Sequence, residues 1–171
     1  LAYVLLKPPF LSERQAVEEA VRSVAYAFEI GFDEVYIQAA SIHQWSLSEL
    51  LWAQGLYTLP WLWSMLDVVK RTSNLGKVKI GGLEYFPIPA TTSQNYLDSS
   101  GKQPCHCSQD IWQSIEEYNA THNVNLFSTL NCSCQEVWKT VLDDDSQQVA
   151  ISNKVFETLE IISLDDYLSA K

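Results

Sequence analysis

The sequence predicts an α/β fold: a partial (β/α) barrel of three parallel strands, followed by a mostly helical, cysteine-containing tail. Three observations predict it. Over residues 1–83, short apolar runs of strand length alternate with longer stretches of helical period, the grammar of βαβ units. The apolar share is 47% over 171 residues, enough for a sizeable core. After Pro89 the composition turns polar, and two Cys-x-Cys pairs follow, each beside a predicted helix start.

The first strand is Ala2 to Leu6, ended by Lys7-Pro8-Pro9, because paired prolines neither continue a ladder nor enter a helix interior. Ser12 then reads as an N-cap with Gln15 in the capping-box position. The helix behind it carries an apolar stripe through Ala16, Val17, Ala20, Val24, Ala27 and Phe28 and ends at Gly31. Glu34 to Gln38 is the second strand, and its exit loop through Ser41 and His43 leads to a short helix that starts near Ser46 or Leu47 and stops at Gly55. Pro60 suits the first turn of the next helix, Trp61 to about Arg71, and Lys77 to Leu83 is the third strand. The polar stretch 91–104 is the expected linker between a first unit, 1–90, and a cysteine-containing unit, 105–171. In that second unit helices are expected over Ser108 to about Tyr118 and Gln135 to about Leu142. Val149 to Ile162 is open between strand and helix, and Ser163 caps a short terminal helix.

A net charge of -10 repels phosphate backbones and removes the electrostatic footprint of non-specific nucleic-acid binding. No run approaches the ~20 apolar residues of a membrane helix. The reading therefore expects a soluble, cytoplasmic protein with no membrane partner. With no initiator methionine and a first residue inside a core strand, the chain reads as a fragment of a longer polypeptide whose amino-terminal half is missing. Exposed strand edges are expected to drive self-association.

Cys105 and Cys107 with Cys132 and Cys134 form two chelating pairs near helix starts, where thiolates are favoured. Four soft ligands suit zinc in a tetrahedral sulfur set. One intervening residue is an unusual spacing, so several alternatives stay open: His106 in place of one thiolate, an iron–sulfur cluster, a disulfide, or buried thiols with no metal. Polar residues at the carboxyl ends of the strands are the other candidates, because α/β folds place sites there. Lys7, Gln38, Ser41 and Glu84 are the expected cofactor contacts, with His43, Gln44 and Tyr85 behind them. The bland alternative is that Lys7 and Glu84 pair with each other or solvate the barrel mouth. No nucleophile elbow and no glycine-rich phosphate loop is present, and no catalytic residue is assigned.

The run from Tyr3 to Val17, YVLLKPPFLSERQAV, with Phe28 to Asp33 and Trp61 to Trp63, resembles the later part of the Elongator/MiaB/NifB-type radical S-adenosylmethionine (SAM) domain, in the branch linked to archaeosine synthesis in tRNA. Tyr118 to Thr121, Leu126-Phe127, Leu130 to Cys134 and Trp138 are similar to that branch's carboxy-terminal region. The resemblance implies half of a (β/α)6 barrel that binds S-adenosylmethionine and a [4Fe-4S] cluster, generates a 5'-deoxyadenosyl radical and takes tRNA as substrate. The three cluster-binding cysteines it implies are absent from this sequence, so the 171 residues are expected to be inactive alone. The second function reading is a non-catalytic, zinc-stabilised protein-binding or scaffold module.

Overall fold

The computed structural model describes residues 1–81, 93–99, 101, 103–144 and 150–161. Three strands, β1 (Ala2–Leu6), β2 (Glu34–Ala39) and β3 (Lys77–Gly81), form a parallel sheet in the order β1-β2-β3. Leu6 lies opposite Ala39 and Val78 opposite Val35. The helices are α1 (Glu13–Glu29), α2 (Leu47–Ala53), α3 (Leu62–Thr72), α4 (Ser108–Thr121), α5 (Cys134–Asp143) and α6 (Ile151–Ile161). A 3-10 turn, Val124–Ser128, joins α4 towards α5. The α/β class is therefore as the sequence predicts, and the described strands form an open sheet. No helix among the described residues is long and apolar enough to cross a membrane.

Local signals set the boundaries. Ser12 and Gln15 form a reciprocal capping box at the start of α1. At its other end Gly31, with φ of 97°, lets the N–H groups of Gly31 and Phe32 reach the carbonyls of Phe28 and Ala27, which closes a Schellman motif. Ser46 caps α2 by accepting from the Glu49 N–H. Helix α3 begins one residue later than expected: Trp61 is its N-cap, which leaves Pro60 just outside the first turn.

Alternation in the strands separates two faces. Val4, Leu6, Val35, Ile37, Ala39, Val78 and Ile80 are buried on one face, packed under α1 and α3 through Ala16, Val17, Ala20, Leu62, Met65 and Leu66. The same core continues through Ile111, Ile115, Tyr118, Phe127 and Trp138, so the cysteine-containing helices and the sheet share one apolar interior. Helix α4 lies against β3. The Tyr118 hydroxyl donates to the Val78 carbonyl at 2.8 Å. The Asn119 side chain accepts from Ile80 N–H at 2.9 Å and donates to Ile80 C=O at 2.7 Å, as a neighbouring strand would. We predict that Asn119→Ala, which leaves both Ile80 groups without this partner, costs about 1–3 kcal/mol in denaturant unfolding. A loss below about 0.3 kcal/mol would show that water replaces the side chain freely.

Candidate metal centre

The four cysteines converge from two separate helix starts. Cys107 is the N-cap of α4, and Cys134 is the first residue of α5. In each pair the carbonyl of the first cysteine accepts an N–H from three residues on, Ser108 to Cys105 at 3.2 Å and Gln135 to Cys132 at 2.9 Å. Each pair is thus set in a matching turn that opens a helix. The Sγ atoms of Cys105 and Cys132 are 3.5 Å apart and those of Cys107 and Cys134 are 3.4 Å apart. All four sulfurs lie within 4.8 Å of one another.

A metal at about 2.3 Å from each of four tetrahedral thiolates places the sulfurs about 3.8 Å apart, inside the observed range. A disulfide needs about 2.05 Å, so the four thiols are not bridged, and all are free. His106 is exposed, with Nδ1 at 3.8 Å from Cys105 Sγ, beside the cluster rather than within it. The arrangement can hold a metal ion such as zinc.

Two N–H donors serve the sulfurs from outside the cysteine pairs. Trp63 Nε1 donates to Cys134 Sγ at 3.3 Å, and Asn95 Nδ2 lies 3.5 Å from Cys107 Sγ. Such donors favour thiolate over thiol and orient metal ligands. Asn95 is fully buried and further fixed: its Oδ1 accepts from Trp63 N–H at 3.2 Å, and its own N–H donates to Ser108 Oγ. Burial pushes the thiols of Cys107 and Cys134 up, against the N–H donors that lower them. At Cys132, burial also raises the pKa, but the Cys134 backbone N–H and the neighbouring thiols outweigh it and bring the group below the ordinary thiol range. Cys132 is also the only half-buried thiol of the four. In protein stripped of metal we expect iodoacetamide to modify Cys132 first and Cys107 last near neutral pH, followed by peptide mass spectrometry. Equal rates at all four positions would contradict this.

A buried polar chain ties this centre to the sheet. Lys7, at the carboxyl end of β1, has Nζ 2.6 Å from Glu13 Oε2 and donates to Thr58 Oγ1 at 2.9 Å. Glu13 Oε1 accepts from Trp61 N–H at 2.9 Å and from the Ser64 hydroxyl at 2.6 Å. The Ser64 oxygen accepts in turn from Trp138 Nε1 at 2.8 Å, one turn along α5 from Cys134. Lys7 is therefore paired with Glu13, six residues on. Its backbone is held in the left-handed region, φ 58°, with its carbonyl bonded to the Tyr57 hydroxyl. A cavity of about 610 Å³ opens beside it, lined by Lys7, Tyr57, Thr58 and Lys154.

The other expected contacts are more scattered. Gln38 is half-buried and lies over Gly81, where any Cβ would collide with its amide nitrogen. Ser41 Oγ lies 2.7 Å from His43 Nε2. Glu84 and Tyr85 lie outside the described residues. Sequence reasoning missed Asn95, Glu13 and Ser64 as members of the site. Asn95 sits in a polar stretch without period, and Glu13 occupies a first-turn position where acids are common; neither carries a local signal.

The fold and the site together define a parallel α/β layer with a four-thiol centre on its flank. Its similarity runs to archaeosine synthase subunit beta of Methanosarcina acetivorans, 33% identical over 142 residues, which are 82% of this chain and 38% of the relative. The same subunit of Thermococcus kodakarensis is 31% identical over 146 residues, 83% of this chain and 42% of the relative. An uncharacterised protein of Methanocaldococcus jannaschii is 21% identical over 148 residues, 86% of this chain and 39% of the relative. The chain thus spans about two fifths of the length of the curated relatives it matches. No protein-family model and no solved structure matches.

These findings correct the expectation of a radical SAM domain. No radical SAM family model matches, and the named relatives are archaeosine synthase beta subunits matched over a minor part of their length, so the assignment, with its S-adenosylmethionine and [4Fe-4S] cluster, is dropped.

Proposed function

We propose that this chain is a zinc-stabilised α/β module with a binding or scaffold role in a protein of the archaeosine synthase beta type, serving tRNA modification alongside a partner subunit. The observation that carries it is the convergence of four thiols, from two helix starts, onto a point that a polar chain connects with the sheet. Such a centre fixes the cysteine-containing unit, 105–171, against the first unit, 1–90, through residues of the stretch between them. In this reading Lys7 has a positioning role, because its ammonium is held by Glu13 and Thr58. Gln38 and Ser41 are the side chains left at the strand ends for a ligand. The charge of -10 argues that tRNA is held chiefly by a partner and only locally by this module.

Elemental analysis of the purified chain, with thiol titration before and after a chelator, tests the reading. About one zinc per chain, with four thiols released by chelation, is the expected result. No metal and four freely titrating thiols would overturn it.

A further inference from the structure

The four thiols are not equivalent. Cys107 and Cys134 form an inner pair: they are 6% and 2% exposed, and each receives a side-chain N–H, Cys107 from Asn95 and Cys134 from Trp63. Cys105 and Cys132 form an outer pair, with their sulfurs 3.5 Å apart. Cys132 is half-buried and is the one that solvent reaches most, while Cys105 lies behind it, 3% exposed. Among the described residues the outer sulfurs have no counterpart to Asn95 or Trp63; the nearby imidazole of His106 stands 3.8 Å from Cys105 Sγ.

This division separates two chemical roles. Two-electron oxidation of thiols needs one sulfur that an oxidant can reach and a second sulfur close enough to resolve the product. Cys132 has the access and Cys105 has the proximity. They stand at the starts of different helices, α5 and α4, 27 residues apart in sequence. Closing their gap to the about 2.05 Å of a disulfide asks for a shift of side chains. The inner pair is as close, at 3.4 Å, but it is shielded from solvent and tied by Asn95 and Trp63.

We propose that Cys132 and Cys105 are a peroxide-responsive dithiol, which closes as a disulfide between the starts of α5 and α4 and in doing so empties the metal centre. Cys132 Sγ, as thiolate, attacks one oxygen of the peroxide. The S–O bond forms, the O–O bond breaks, and the hydroxide that leaves takes up a proton as water. Cys105 Sγ, also as thiolate, then attacks Cys132 Sγ; the S–S bond forms, the S–O bond breaks, and the second oxygen departs as hydroxide and becomes water in the same way. Two thiolates give up two electrons, and one peroxide accepts them with two protons. Cys107 and Cys134 alone then remain as ligands, too few for a tetrahedral sulfur set. Metal release rests on the zinc reading of the cluster; the disulfide does not.

Hydrogen peroxide, added to the 171-residue chain with and without bound zinc, tests it. Peptide mapping without reductant should find Cys105 joined to Cys132 as the first disulfide, in at least about tenfold excess over any other pairing. A dithiol reductant should reverse it. In the zinc-loaded chain, metal release read with a chromogenic chelator should keep pace with this disulfide. Cys105→Ser removes the resolving sulfur, so a sulfenic acid should persist at Cys132 and be captured there by dimedone. Brief dimedone trapping in the unaltered chain, where Cys132 should be labelled first, guards against a folding defect of that variant. A first disulfide between Cys107 and Cys134 or within either Cys-x-Cys pair, first labelling at another cysteine, no disulfide at all, or a disulfide formed with zinc retained would overturn the proposal. A chain that binds no zinc yet joins Cys105 to Cys132 would uphold the disulfide and overturn the zinc reading alone.

Discussion

On the proposed zinc site, Cys107→Ser is expected to abolish metal binding and to lower the stability of the whole chain, since α4 and α5 share one core with the sheet. Structural zinc contributes on the order of 10 kcal/mol of apparent folding free energy in small domains. The share here is smaller, because α4 and α5 are also held by the apolar interior they share with the sheet, and we expect a fall in Tm of at least about 10 °C. Cys107 and Cys134 should be the costliest positions, since both are buried and each receives an N–H from Asn95 or Trp63. Cys132→Ser should cost less, the side chain being half-buried with solvent to replace a ligand. His106→Ala should change neither metal content nor Tm, because the imidazole lies outside the sulfur set. Circular dichroism melts paired with elemental analysis check the whole series. A Cys107→Ser protein with unchanged Tm would show that the cluster is a group of buried thiols; a His106→Ala protein that loses metal would show a ligand set of three sulfurs and one nitrogen.

Local signals were legible in the sequence and distant ones were not. The capping box at Ser12, the stop at Gly31 and the short strand-length runs of β1 and β2 each depend on residues within a few positions, and the structure places all of them where the pattern does. The two Cys-x-Cys pairs were legible for a related reason: each is a short turn at a helix start, and their four thiols come together. The stretch from Val149 to Ile162 stayed ambiguous because its apolar residues fit both periods; Ile151–Ile161 is helical. The terminal helix expected after Ser163 lies outside the described residues. Asn119 shows the other limit. It reads as one more polar residue on α4, and only the tertiary approach to Ile80, 39 positions away, makes it the cap of a strand edge. Lys7 was legible by place, at the end of β1, but its partner was not, since pairing with Glu13 requires the left-handed turn at Lys7 that the Pro8-Pro9 step does not suggest.

That pairing makes Glu13 the most sensitive position outside the cysteines. Its carboxylate sits at the first turn of α1, accepts from the Trp61 N–H and the Ser64 hydroxyl, and faces the Lys7 ammonium, with both charged side chains almost fully removed from water. Glu13→Gln keeps the volume and much of the hydrogen bonding but leaves a buried ammonium without its counter-charge. Breaking one side of such a pair costs about 3–5 kcal/mol, far above the ~1 kcal/mol of a lost neutral hydrogen bond. Lys7→Met alone should cost less than Glu13→Gln, because the carboxylate keeps its donors from Trp61 and Ser64. The double substitution should recover at least half of the Glu13→Gln loss, because it removes both charges together. Urea unfolding of the four proteins measures the coupling. If Glu13→Gln stays within about 0.5 kcal/mol of the unmodified protein, the pair is hydrated and the link from the end of β1 through Ser64 to Trp138 is not under tension from buried charge. A loss of the expected size with recovery in the double variant would make this ion pair the lock that holds the Lys7 turn, α1 and α3 in one register, and through Trp138 the cysteine-bearing helix α5 as well.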